Sequence, residues 1–254
     1  MKQIFAFESI EEYKNNADSI AILNNKLTQY KQRLINEFEL KELPKTIVWT
    51  TSENAMTVFS KKPVPAYTNK DTIFITPNVE DWKEFYLSLL ENEGLPSSDV
   101  MRQLKHYFQS MTIDDVFCVL AHELTHHIEL FPDEFEDART DSIWFEEGMC
   151  EYLSQKLTLT EQQYNDLKIV EQLMIDLFKN KYGNFSLDAF GTGSYNESSV
   201  ASVMLNYWRS SAAIHYLVEH CHSGDVMKVF KLYHEWHEKR CETSLTEFFG
   251  VSHF

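Results

Sequence analysis

The segments of this 254-residue chain that are predicted to form β-strands lie in one short region, and this restricts the fold more than any other feature. TIVWTT (46–51) and DTIFIT (71–76) are runs of β-branched and aromatic residues flanked by prolines, as strands are. Residues 8–41 and most of the chain after Thr112 have the apolar spacing of helices. We therefore predict a single α+β domain (1–254), mostly helical, with N-terminal helices and a small sheet in 1–110 and a helical half in 111–254.

Acidic residues outnumber basic ones, 39 to 23, which gives a net charge of −16. This balance argues against nucleic acid or an anionic membrane surface as a partner, and it indicates either solubility or a preference for basic substrates. No stretch approaches the roughly 20 apolar residues that span a bilayer. The cysteines are widely spaced without a CxxC pair, and the N-terminal apolar run is too short for a signal peptide. We expect a reduced, cytoplasmic protein, and its oligomeric state is left open.

A helix is predicted from the TIDD segment, which has the pattern of a capping box, through HELTHH to Pro132. His122 and His126 are four residues apart, so they share one face of this helix. At 100° per residue they point away from an apolar stripe that includes Leu124, whereas His127 lies near that stripe. The first two histidines are therefore candidate ligands, and we assign His127 to packing or to a supporting hydrogen bond.

Two histidines at this spacing supply two of the three protein ligands of a catalytic zinc ion, and Glu123 beside them is placed as a general base. The longer pattern HExxHxxGxxH is absent, which excludes the metzincin arrangement. WFEEGMCEYLS (144–154) offers a third ligand, because Glu147 and Glu151 lie one turn apart, opposite an apolar stripe. One carboxylate can bind a metal, and the other can orient a ligand histidine. Gly148 costs about 1 kcal/mol in a helix interior, which favours a close helix contact there.

HELTH followed by WFEEGMCEY resembles the gluzincin metallopeptidases, the thermolysin-like and aminopeptidase-like group of the peptidase MA clan. The resemblance covers about residues 112–250 and implies a zincin-like catalytic domain. In the aminopeptidases the Glu before Gly in this stretch is the third zinc ligand, which implies Glu147 rather than Glu146. Glu151 falls where related enzymes often place a carboxylate behind a ligand histidine. The 20 residues between His126 and Glu147 are slightly more than in those aminopeptidases, and the insertion falls in the PDEFEDARTD loop.

NYWRSSAAIHYLVEH (206–220) resembles the C-terminal helical part of the same domains, where a tyrosine stabilises the oxyanion. The match implies this role for Tyr207, with Tyr195 as the competing candidate, and His215 is assigned to packing or support. The resemblance also implies that DTIFITP (71–77) is an edge strand that pairs with the substrate backbone. The GxMEN sequence that binds a substrate amino terminus is missing, so aminopeptidase activity is not carried over.

The residues and the resemblance together predict a zinc-dependent peptidase acting on a peptide or protein. His122, His126 and Glu147 would bind Zn²⁺, Glu123 would activate water, and Tyr207 would assist the oxyanion. One alternative is a metal-binding interaction domain of the same fold without hydrolytic activity. Another is a helical structural protein in which the motif is a coincidence. The choice between endo- and exopeptidase is left open.

Overall fold

The structure is a computed structural model that describes residues 1–59, 64–92, 98–135, 137, 141–191, 199–239 and 243–254. Its strands are β1 (Lys2–Ala6), β2 (Thr46–Thr50), β3 (Ala66–Thr68) and β4 (Thr72–Ile75). The long helices are α1 (Ile10–Glu37), α3 (Val79–Glu91), α4 (Asp99–Gln109), α5 (Ile113–Thr125), α6 (Ile143–Thr158), α7 (Glu161–Tyr182), α8 (Val200–His215) and α9 (Val226–Glu238). The short helices are α2 (Ser52–Asn54) and α10 (Leu245–Phe249).

Three further helical turns differ from the α-helix. Ala55–Phe59 continues α2 as a π-helix, Tyr216–Cys221 continues α8 in the same way, and Leu187–Ala189 is a 3₁₀ turn. The prediction of an α+β fold, mostly helical with a small N-terminal sheet, is confirmed. No helix in the described part of the chain is both long enough and apolar enough to cross a membrane.

The backbone forms two compact units. The first comprises Met1–Glu129 with Ser154–Glu161, and the second comprises Leu130–Leu153 with Gln162–Phe254. Whether the chain is a single domain, as predicted, stays a prediction.

The sheet of the first unit has the strand order β1-β2-β4-β3. β1, β2 and β4 are parallel, and β3 pairs with β4 in the antiparallel direction. The prediction that DTIFITP is an edge strand is therefore wrong, because β4 has neighbours on both sides. The strand at that edge of the sheet is β3, which has three residues. It was not predicted, because the sequence before it is rich in proline.

Helix α1 packs on α5 within the same unit. The hydroxyl of Tyr30 lies 2.6 Å from Oγ1 of Thr125, and the Tyr30 ring meets Phe117 edge to face, with ring centroids 6.2 Å apart. Both tyrosine and threonine are buried. The contact fixes the last turn of α5, which carries the candidate ligands.

Helix α5 begins as predicted but ends earlier than predicted. Thr112 and Asp115 form the expected capping box. The helix ends at Thr125 rather than at Pro132, and His126 is its C-cap residue. The N–H of Glu129 donates to the carbonyl of Glu39 instead of to its own helix, which draws the chain away from the helix axis.

The second unit surrounds the first part of α6 with aromatic and polar contacts. Phe145 stacks on Tyr233 with ring centroids 4.0 Å apart, and Nε1 of Trp144 donates to Oδ1 of Asp188 at 3.1 Å. Oδ1 of Asp188 also accepts from the N–H of Thr246 at the start of α10. These contacts hold the segment that contains Glu147.

Candidate metal centre

The last turns of α5 bring His122, Glu123 and His126 to the same region of the first unit. Leu120 and Leu124 are fully buried, in agreement with the predicted apolar stripe. His122 and Glu123 are also buried, with 6% and 7% of their surfaces exposed, and His126 is half-buried. The helix therefore places its polar residues in a largely dehydrated setting, where electrostatic interactions are stronger than in water.

Glu147 lies in the second turn of α6, and its surroundings differ from the predicted polar face. Glu146 and Glu147 are both buried, at 5% and 8% exposure, and Glu151 is half-buried. α6 is thus enclosed nearly all round rather than amphipathic. A buried carboxylate is costly unless hydrogen-bond donors or a cation offset its charge.

Gly148 explains how α6 and α8 approach so closely beside Glu147. A Cβ atom at Gly148 would lie 2.5 Å from the carbonyl oxygen of Ser210 and 2.7 Å from Cγ1 of Ile214. No side chain fits in that space. The predicted reason for a mid-helix glycine, a close helix contact, is confirmed.

This close contact brings Tyr207, at the middle of α8, to Glu147. The Tyr207 hydroxyl donates to Oε1 of Glu147 at 3.1 Å, and the tyrosine ring meets Phe190 edge to face. The structure therefore joins two residues that are 60 positions apart in the sequence. Tyr195, the competing candidate for the oxyanion, lies outside the described residues.

The three predicted ligands form a group that could hold a metal ion. His122, His126 and Glu147 each offer one ligand atom, and these three atoms all lie within 4.8 Å of one another. Nε2 of His126 is 3.1 Å from Nε2 of His122. Two nitrogen ligands of a tetrahedral zinc ion lie about 3.3 Å apart, given zinc–nitrogen bonds of roughly 2.0–2.1 Å.

Two imidazoles and one carboxylate are suitable ligands for zinc, but this set of donors is not specific to zinc. The same donors bind other divalent first-row metals, whose affinities rise towards copper. The residues present therefore fit a divalent metal ion of this class.

The neighbouring histidines have partners of their own. Nε2 of His127 lies 2.8 Å from Oγ1 of Thr68 on β3, in agreement with the assignment of His127 to a supporting contact. The pKa of His127 is lowered to about 3, mainly because the imidazole is buried and also because His126 lies nearby. Nδ1 of His215 lies 2.7 Å from the hydroxyl of Tyr164, which agrees with its assignment to packing or support. No local sequence pattern predicts the contacts of Thr68 and Tyr164, because each of these residues lies far along the chain from its histidine.

Comparison with known proteins found no matching family model, no similar characterised protein and no similar solved structure. The chemistry of the site therefore rests on its own residues.

Proposed function

We propose that this protein is a metal-dependent peptidase whose metal is zinc. The observation that carries the proposal is the grouping of His122, His126 and Glu147, three residues from two separate sequence motifs, with their ligand atoms within 4.8 Å of one another. A bound zinc ion would supply Lewis-acid chemistry, because it makes water more acidic and polarises a carbonyl group.

The residues around the proposed metal have separate tasks. Glu123 follows a ligand histidine directly, and as a general base it would take a proton from the attacking water. It would then give that proton to the amine nitrogen as the peptide C–N bond breaks. Tyr207 is the candidate donor to the oxyanion, and its hydroxyl already lies at the Glu147 carboxylate. Glu151, next to this pair along α6, is proposed to orient a ligand histidine.

The substrate is proposed to be a peptide or protein held in an extended conformation. β3 is the edge strand on the α5 side of the sheet, and its Thr68 contacts His127 next to a proposed ligand. An extended peptide could add to this edge by backbone hydrogen bonds. The net charge of −16 makes nucleic acid and anionic membranes poor partners.

The proposed location is the cytoplasm. Among the described residues, Cys118, Cys150 and Cys221 form no disulfide, and two of them are buried. Buried cysteines outside disulfides are typical of proteins from a reducing compartment.

Metal content and cleavage test the two parts of this proposal separately. Protein dialysed against zinc should hold about one equivalent by mass spectrometry, and Glu147→Ala should lose it, because three protein ligands are needed. Glu146→Gln is the matched control: it changes the adjacent buried carboxylate and should keep the metal. Loss of metal from Glu146→Gln but not from Glu147→Ala would overturn the ligand assignment.

Cleavage of a mixed peptide library reports the reaction. Wild type should cleave it, and Glu123→Gln should retain zinc while losing at least about a hundredfold in rate, since general-base catalysis contributes roughly 10²–10⁴-fold. Equal cleavage by Glu123→Gln would exclude the mechanism. Bound zinc with no cleavage of any peptide would favour the metal-binding interaction domain instead.

A further inference from the structure

Strand β1 is an open edge of the sheet. The strand order places β1 outermost, and within the described part of the chain β2 is its only neighbouring strand. The other edge, β3, has only three residues, whereas β1 has five and contains neither a proline nor a bulge. Proteins normally shorten, interrupt or cover such an edge, because it offers free hydrogen-bonding groups to other chains.

The backbone groups of β1 that face away from β2 can be assigned. The N–H of Lys2 donates to the carbonyl of Lys45, so Lys2, Ile4 and Ala6 point their backbone groups towards β2. Gln3 and Phe5 alternate with them and point their N–H and C=O groups outwards. A second strand could therefore pair with Gln3 and Phe5 without disturbing the existing ladder.

The side chains at this edge are apolar and accessible. Phe5 is 46% exposed and Ile4 is 48% exposed, on opposite faces of the strand. The rings of Phe5 and Tyr13 meet edge to face, and Ile10, 75% exposed, lies beside Tyr13 at the start of α1. These residues form an apolar border along the open edge, as expected of a surface that contacts another protein.

We propose that β1 pairs with β1 of a second copy of this chain, antiparallel and around a two-fold axis at Phe5. This register sets Phe5 opposite Phe5, so that their outward-pointing backbone groups meet one another, and it sets Gln3 opposite Phe7, the first residue after β1. It also brings Lys2, twice by symmetry, to the end of the partner strand where Glu8 lies. Glu8 follows β1 by two residues, in the bend before α1, and both side chains are exposed. Centring the axis on Ile4 would instead set Lys2 opposite Ala6, which leaves both charges without a cross-strand partner.

The charges of Lys2 at the start of β1 and of Glu8 in the bend after β1 thus favour a copy of the same chain as the partner. An isologous interface must be self-complementary, and a lysine and a glutamate placed equally far from Phe5 satisfy this condition. The contact is independent of the proposed metal centre, because none of its residues belongs to that group.

Sedimentation of the full chain from about 1 µM to 1 mM tests the proposal, because an edge-strand contact of this size is expected to be weak. Wild type should show a reversible monomer–dimer equilibrium. Lys2→Glu should set Glu opposite Glu8 twice and raise the dissociation constant about tenfold or more. Glu8→Lys should do the same, and the double variant should restore dimerisation. Lys14→Glu, an exposed change of equal charge on α1, is the control and should behave as wild type.

A mixture of the two single variants gives the sharpest result. Lys2→Glu and Glu8→Lys should each be largely monomeric alone but should form a heterodimer when mixed, because both cross-strand pairs then have opposite charges. Amide hydrogen exchange at Phe5 should slow as wild-type concentration rises, whereas the amide of Ile4 should already be protected by β2. A monomer at all concentrations, or a dimer that neither variant weakens, would overturn the proposal.

Discussion

The hydrogen bond from Tyr207 to Glu147 leads to a specific prediction about the affinity of the site for zinc. A donor on one carboxylate oxygen fixes the orientation of the other, and such supporting partners are typically worth 10–100-fold in metal affinity. Tyr207→Phe should therefore weaken zinc binding by at least about tenfold. Competition with a chromophoric chelator measures this without any need for turnover.

Tyr233→Phe is the control for this experiment. The Tyr233 hydroxyl also donates to a carboxylate of the second unit, that of Asp133, at 3.4 Å. Asp133, unlike Glu147, is not a proposed metal ligand. Unchanged zinc affinity in Tyr207→Phe would restrict Tyr207 to another role, such as donation to the oxyanion.

Tyr152 gives a prediction about pH at the same scale. Its hydroxyl donates to Oε1 of Glu219 at 2.8 Å, and burial followed by this carboxylate raises the pKa of Tyr152 well above its usual value of 10.0. Above pH 10 the unfolded chain loses this proton while the folded chain keeps it. The free energy of unfolding should therefore fall as pH rises, by up to about 1.4 kcal/mol per pH unit from this group.

Urea unfolding between pH 8 and pH 11 measures this slope. Tyr152→Phe should make it shallower, although the variant should also lose about 1 kcal/mol at neutral pH with the hydrogen bond. Glu219→Gln removes the charge that opposes the phenolate and should reduce the slope in part. An identical slope in all three proteins would contradict the assignment.

At the scale of the elements, the crossing of α6 and α8 should tolerate no side chain at Gly148. In a helix interior without close neighbours, replacing glycine by alanine stabilises the folded protein by about 1 kcal/mol. Here the new methyl would meet the carbonyl of Ser210, and overpacking of this kind costs roughly 1–3 kcal/mol, occasionally more. Offset against the gain from alanine, this leaves an expected net loss of up to about 2 kcal/mol in urea unfolding. Lys156→Ala, at an exposed position of α6, is the control, and a gain of stability in Gly148→Ala would contradict the packing.

Regular helices were predictable where local sequence is sufficient. α1 and α7 lie in segments whose sequence predicts helices, and the start of α5 follows from its capping box, because these signals act within a few residues. β1, β3 and α4 were not predicted. β1 is mostly exposed and becomes a strand only by pairing with β2, whose residues lie 44 positions further along the chain. The early end of α5 likewise depends on Glu39, which no window around HELTHH contains.

At the scale of the whole molecule, part of the candidate site is likewise predictable from local sequence and part depends on the complete fold. The spacing of His122 and His126 is local, so one turn of helix brings them together whatever the rest of the chain does. The approach of Glu147 depends on the complete fold. Helical phase indicated Glu147 and Glu151, and only the resemblance to a family selected Glu147 as the ligand. Thr68 and Tyr164 were not predictable, because a hydrogen bond across 50 or more residues leaves no mark in either local sequence.

Metal binding should be visible in the global stability of the protein, and this is the prediction that least depends on knowing a substrate. A ligand that binds only the folded chain stabilises it by about 2.7 kcal/mol when present at 100 times its dissociation constant. For a chain of 254 residues this corresponds to a rise of about 5–10 °C in the thermal midpoint. Zinc should therefore raise the midpoint of chelator-treated protein, and EDTA should reverse the rise. His122→Ala should abolish the response, whereas His106→Ala, at an exposed position on α4, should retain it in full. A zinc response that survives His122→Ala would show that the ion binds elsewhere, because a histidine missing from a three-ligand site leaves too few donors to hold the metal.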